Sequence, residues 1–240
     1  MIETINSLSI VITVFNEEKR LKKNLIKIIN FIKNKKIEVI FVNDGSSDSS
    51  EEIIKKIIKK NKKIKIISLR NNTGKGGALK KGVMNAKYKW ILTMDLDLSV
   101  PLSQIFTWFK KKYISNHSLI YFGSRNHRKS IIKFKIHRKI FGKFLNILTK
   151  IFFNINIKDT QCGYKLYKNN VGKLLFSKIT RFGYEHDIEI AVLAKNRNIS
   201  IRELPVKWFH KEESKVNILI DSIKLFFSLI ILKRRYLNNI

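Results

Sequence analysis

Cysteine, proline and acidic residues are scarce in this sequence of 240 residues. The single cysteine, Cys162, excludes an internal disulfide and fits a reducing compartment. There are two prolines and no stretch rich in proline or serine, so no linker divides the chain. No apolar run reaches the ~18 residues of a membrane span. The N-terminus shows no charged lead followed by a long apolar run, so neither a spanning helix nor a signal peptide is expected. Negative charge is the largest deficit: 18 Asp+Glu face 49 Lys+Arg, a net charge of +31. Such a surface implies anionic partners, whether nucleic acid, phosphorylated small molecules or an anionic membrane. A hydrophobic content of 44% excludes a disordered chain, and the length suits one domain with a real core.

What is present alternates. Apolar runs at 8–15, 37–43, 64–69, 88–94 and 119–125 have strand length. Between them, Leu21, Leu25, Ile28, Ile29 and Ile32, and then Ile53, Ile54, Ile57 and Ile58, fall at helical spacing. Asn16 is expected to cap the first helix, and Asp48 with Glu51 to form a capping box on the second. This repetition predicts an α/β fold with a doubly wound, mostly parallel sheet flanked by helices. Ligands of such sheets bind at the carboxyl ends of the strands. Four polar segments follow strands directly: residues 16–18, 43–47, 70–77 and 95–97. They are expected to converge on one sheet edge.

The scarce acids gain weight there. Asp95 and Asp97 leave an apolar run as "MDLDLS". In an extended segment, residues two apart point to the same side, so their repulsion calls for a cation. Mg2+ or Mn2+ takes one or two carboxylates plus substrate phosphates and waters. The plainer alternative is a solvated turn in which Asp97 caps a following helix. Asp44, in "VNDGSSD", either forms a turn with Gly45 or accepts from a nucleobase ring N–H. Gly74, Gly76 and Gly77 let backbone approach a ligand and open a helix with free N–H groups. Lys75 among them is either a phosphate partner or a solvated lysine.

These segments resemble a known family. "VITVFNEEKRL", "VNDGSSD", "RNNTGKGGALKKG", "MDLDLS", "GSR", "DTQCGYKLY" and "LPVKW…ESKV" occur in the order and approximate spacing of family-2 glycosyltransferases. More narrowly, they look like the dolichyl-phosphate β-glucosyltransferase group and its relatives that use polyprenyl phosphates. The resemblance covers roughly residues 8–235. It implies a GT-A fold in which Thr13, Phe15 and Glu17 line the base and ribose pocket and Asp44 contacts the base. Asp95 and Asp97 would be the D-x-D pair, Asp97 the main metal ligand, and Arg125 would meet phosphate. The chain departs from the pattern at Phe15, where tyrosine is frequent, at Asn43 in place of a first aspartate, at His186, and at "EES".

Two stretches remain. Residues 126–153 mix Lys and Arg with Ile140, Phe144, Ile147, Leu148 and Ile151 at helical spacing. The segment 217–235 is amphipathic and ends in Lys233, Arg234 and Arg235. Both are expected as helices on an anionic membrane surface, with ordinary core packing as the alternative. Nucleic acid is not the expected partner, because the apolar faces are too large for a groove or a single strand, and a basic nucleic-acid-binding protein whose aspartates are structural stands as the rival from a different class. The expected layout is one domain over 1–240: a nucleotide-sugar half (8–125), an acceptor half (126–215) and an amphipathic tail (216–240).

The expected activity is metal-dependent, inverting hexosyl transfer to a polyprenyl (dolichyl-type) phosphate on the cytoplasmic face of a membrane. UDP-glucose is the expected donor, with GDP-mannose or a polysaccharide acceptor as alternatives within the class. A phosphate acceptor is already ionised at neutral pH, so cations matter more than a base, and Arg125 and Arg138 are the candidates to hold it. Asp187 or Glu185 would orient the acceptor or stabilise positive charge, or else cap the helix they begin. Asp159 and Gln161 are either site residues or turn formers.

Overall fold

A computed structural model describes residues 7–59, 61–115, 118–133, 146–211 and 218–237, with the side chains of 218–224 and 237 excepted. Nine strands are seen among them. β1 (Leu8–Val14), β2 (Ile37–Asp44), β3 (Ile64–Leu69), β4 (Trp90–Met94), β5 (Ile120–Ser124), β7 (Lys165–Lys168) and β8 (Ile201–Pro205) form one sheet in the order β3-β2-β1-β4-β7-β5-β8. β6 (Ile131–Lys133) pairs with β9 (Lys207–Phe209) in a small second sheet. In the main sheet β7 alone runs antiparallel, against β4 on one side and β5 on the other.

Strand alternation explains the two covered faces. Leu8, Ile10, Ile12 and Val14 of β1, with Val39 and Phe41 of β2, enter one core under α1 (Glu18–Ile32), α2 (Ser50–Ile58) and α4 (Gln104–Lys110). Val11, Ile40 and Val42 point the other way, into a core shared with α3 (Lys75–Met84), α6 (Asn169–Lys178) and α7 (His186–Lys195). Successive residues of a strand face opposite sides, and burial on both faces is what makes these strands continuous apolar runs. The expected helical stripe of α1 appears as buried Leu21, Leu25, Ile28 and Ile32.

A third, smaller core joins the last elements. The helical residues 146–153 (α5), α7 and α8 (Ile218–Leu237) meet through Phe153, Ile188, Val192, Leu225, Leu229 and Leu232. One stripe of the tail therefore packs on the protein. Phe227 and Ile231 of α8 and Ile147 and Ile151 of α5 remain exposed. No helix among the described residues is long and apolar enough to cross a membrane.

Three local expectations are corrected. Asn16 does not cap α1. It has a positive φ of 52°, and its Oδ1 accepts from the Ser47 backbone N–H at 2.8 Å. The free N–H groups at the start of α1 are met from another loop instead: Glu17 N donates to Ser50 Oγ (2.9 Å) and Glu18 N to Asp48 Oδ2 (3.0 Å). Nor do Asp48 and Glu51 close a capping box, because Glu51 accepts from Asn43 Nδ2 at 2.8 Å. Finally, β4 ends at Met94, and Asp95 and Asp97 lie in a turn where Leu98 has φ 53°. Extended geometry is not what brings the two carboxylates together.

Candidate active site

At the carboxyl edge of β1, β2 and β4 the structure holds a cleft of about 490 Å³, a size suited to a small-molecule ligand. It gathers Thr13, Phe15, Glu17, Asp44, Lys75, Asp95 and Asp97, seven of the residues singled out from the sequence. The cleft adds Arg20, Asn72, Ser99, Tyr184 and Lys211, which sequence reading missed. Arg20 and Lys211 looked like any other cations in a lysine-rich chain. Position in the fold alone sets them apart. Four carboxylates and three cations line this space, an acid-rich spot on a molecule of net charge +31.

Each carboxylate has a defined holder. Asp44, the last residue of β2, accepts at Oδ1 from Thr73 N and Thr73 Oγ1, both at 2.8 Å. Glu17 pairs with Arg20 at 2.8 Å. Asp97 accepts from Ser99 N (2.8 Å) and Ser99 Oγ (2.9 Å), the local turn that the plainer reading allowed. Lys75, at the head of α3, reaches across to Asp95 Oδ1 at 2.6 Å. Burial opposes the charge on Lys75, and the Asp95 and Asp187 carboxylates outweigh it, so its ammonium titrates above the usual lysine range.

Asp95 comes close to the backbone just before β7 because residue 163 is a glycine. A Cβ on Gly163 would lie 2.7 Å from the Asp95 carboxyl carbon and 2.8 Å from Oδ1. Any side chain there would force the Asp95 carboxylate to shift. Thr93 of β4 donates to Gly163 O at 3.3 Å and fixes that approach. The glycine of "DTQCGYKLY" thus shapes the site without lining it.

Behind the cleft lies a buried charge network. Lys165 of β7 pairs with Asp187 at 2.9 Å and donates to Cys162 O at 2.6 Å. His186 Nε2 lies 3.1 Å from the same Asp187 oxygen, and its Nδ1 meets Gly183 O at 2.7 Å. Burial alone would raise the Asp187 carboxyl, but His186, Lys165 and Lys75 hold it well below the usual carboxylate range. Burial pushes the Cys162 thiol up to about 11, which leaves it unreactive at neutral pH.

Five sequence candidates among the described residues stand away from the cleft lining. Arg125, expected to meet phosphate, forks onto Asp159: Nε to Oδ2 at 2.7 Å and Nη2 to Oδ1 at 2.8 Å. Asp159 also accepts from the Arg125 and Gln161 backbone N–H groups. Gln161 has a buried Nε2 with no partner among the described residues. Asp187 sits in the network described above, and Glu185 immediately precedes α7 and accepts from Gly183 N at 3.3 Å. Arg138 lies outside the described residues.

The oxygen-only pair Asp95 and Asp97 fits a hard divalent cation that brings the rest of its shell from a substrate. Among the described residues no group of three or more His, Cys, Asp or Glu gathers to hold a metal without such help. Each carboxylate oxygen bonded to Lys75 or Ser99 keeps further lone pairs.

The profile of Glycosyl transferase family 2 matches residues 9–175. Dolichyl-phosphate β-glucosyltransferase of Saccharomyces cerevisiae is 32% identical over 97% of this chain and 76% of its own length. The enzymes of the same name from Dictyostelium discoideum and Homo sapiens are 30% and 28% identical, again with 76% of their own lengths matched. Among solved structures, glucosyl-3-phosphoglycerate synthase of Mycobacterium tuberculosis in complex with UDP shares the fold. Its TM-score is 0.68 at 16% identity, over 95% of this chain and 80% of that one. The same protein with Mn2+, UDP-glucose and phosphoglyceric acid also gives 0.68. A mostly parallel sheet with a ligand-sized cleft at its carboxyl edge, and a profile match over most of the chain, agree: this chain belongs to glycosyl transferase family 2 and is a glycosyltransferase of GT-A fold.

Proposed function

We propose that the chain transfers glucose from UDP-glucose to dolichyl or another polyprenyl phosphate, at the cytoplasmic face of a membrane to which it binds peripherally. The observation that carries this is the acid-rich cleft itself, with Asp95 and Asp97 in its lining. The shared name of the curated relatives supplies the acceptor and the sugar, and the UDP-glucose and Mn2+ held by a protein of the same fold support the donor and the ion.

In this reading Thr13, Phe15 and Glu17 flank the base and ribose, and Asp44 accepts from the base. Asp95 and Asp97 hold a divalent cation, Mg2+ or Mn2+, whose charge offsets that of the leaving diphosphate. Lys75, already beside Asp95 at 2.6 Å, adds a second positive charge on the diphosphate side. An oxygen of the acceptor phosphate attacks the anomeric carbon as the bond to the diphosphate breaks, turning an α-linked donor into a β-linked product. That oxygen is ionised beforehand, so no general base is required. Arg125 acts at one remove, by pinning Asp159 and the segment that carries Gly163. Arg138 is assigned to the acceptor phosphate on charge alone. The domain halves and the lipid-facing role of the exposed apolar residues of α5 and α8 belong to the same proposal.

UDP-glucose with Mn2+, at about 100 times its dissociation constant, is expected to stabilise the protein by about 2.7 kcal/mol. Labelled glucose is expected to become lipid-extractable when native membranes are added. Stabilisation by oligonucleotides, with none from nucleotide sugars, would sink the reading.

A further inference from the structure

Glu189 is fully buried on α7, away from the cleft, and no step above uses it. Its partners are hydrogen-bond donors from two separate places. Thr180 donates through its backbone N–H (2.9 and 3.0 Å) and its Oγ1 (2.8 Å), and Arg181 through its N–H (2.8 Å). The fourth donor is Tyr236 Oη on α8, 2.7 Å from Oε1. A buried carboxylate needs such donors, and losing one leaves charge uncompensated.

What Glu189 holds is the wall of the cleft. Residues 180–184 run from the end of α6 toward α7 and bring Gly183 and Tyr184 to the lining. Their far end docks on the head of α3, where Gly76 N donates to Phe182 O at 2.7 Å. Gly74, with φ 85°, allows that docking, because a Cβ there would lie 2.5 Å from Phe182 O. The wall is thus tied at one end to the glycine-rich loop and at the other to Glu189.

We propose that Glu189 and Tyr236 are positioning residues: the carboxylate fixes residues 180–184 in the form that walls the cleft, and the tyrosine makes that form depend on docking of α8. The inference rests on the reading that the cleft takes a nucleoside diphosphate. Tyr236 suits the task, since burial and the Glu189 carboxylate push its hydroxyl up to about 12 and keep it a donor. α8 itself sits on α7 by Leu225, Leu229 and Leu232 while Phe227 and Ile231 face outward.

The test is Tyr236→Phe, which removes one oxygen and keeps the packing. Hydrogen exchange without any ligand is expected to quicken about ten-fold at the Thr180 and Arg181 amides and to stay unchanged in β1, β2 and β4. UDP with Mn2+ is expected to bind about five-fold more weakly by calorimetry, and the donor KM to rise by a similar factor at nearly constant kcat. Glu189→Gln, of equal size, is expected to show a larger change of the same kind, because its amide turns N–H groups toward backbone N–H groups. A lower Tm for Tyr236→Phe with exchange and UDP affinity unaltered would make the contact a mere brace and overturn the proposal. If the wild type itself failed to bind UDP, the donor reading would fall, and the exchange result alone would support or overturn the tie.

Discussion

Two of the places where opposite charges meet among the described residues are built differently. In the cleft, four carboxylates meet three cations, and Asp95 and Asp97 are held by one lysine and one serine. Beside β7, Arg125 and Asp159 neutralise each other through a two-pronged contact, with Asp159 only 3% exposed. The first arrangement leaves negative charge for a ligand to satisfy. The second is complete as it stands. Residues of the same chemical types, drawn from motifs of the same family, thus divide into those that line the cleft and those that pair with each other away from its lining.

The sharpest way to break this division is Asp97→Ala. Transfer is expected to fall by about 10³-fold, as for removal of a group that stabilises transition-state charge, while urea denaturation stays close to wild type. Arg125→Ala is expected to do the reverse. Removing one partner of a buried pair costs about 3 kcal/mol, visible as a lower urea midpoint, and Arg125→Met with Asp159→Leu should recover part of the loss. If Arg125→Ala instead kept its stability and lost acceptor turnover, Arg125 would belong to the binding cluster.

Gly163→Ala links the clusters, since the added methyl would strike the Asp95 carboxylate. Activity is expected to drop about 30-fold, a loss of positioning, with circular dichroism unchanged. The smallest effect concerns acid. Asp187 has its carboxyl depressed in the folded state, so its contribution is present above the unfolded value near 3.9 and is lost as pH falls toward the folded value. Below about pH 4 the stability of Asp187→Asn should therefore fall less steeply than that of wild type, by up to one proton or about 1.4 kcal/mol per pH unit. Parallel acid limbs would remove Asp187 from the network.

The parallel half was legible because its signals are local. Strands at 8–14, 37–44, 64–69 and 90–94 fall where continuous apolar runs lie, and the polar loops after them meet as the rule for open sheets requires. β7 was not legible. "GYKLY" is short, carries a buried Lys165, and earns its place only by inserting antiparallel between β4 and β5. The start of α1 misled for a related reason, as its caps come from residues about thirty positions away.

The sequence by itself determined the alternation of strand and helix, the edge at which the polar loops gather, and the presence there of two aspartates among a surplus of lysines. These follow from periodicity and order, which are properties of neighbours along a chain. Tertiary structure decided which lysine meets Asp95, that Arg125 pairs with Asp159, that a side chain at Gly163 would press on Asp95, and that Tyr236 reaches Glu189 from 47 residues away. Those outcomes depend on distances of a few ångströms between elements remote in sequence, where burial makes each hydrogen bond and each excluded methyl count.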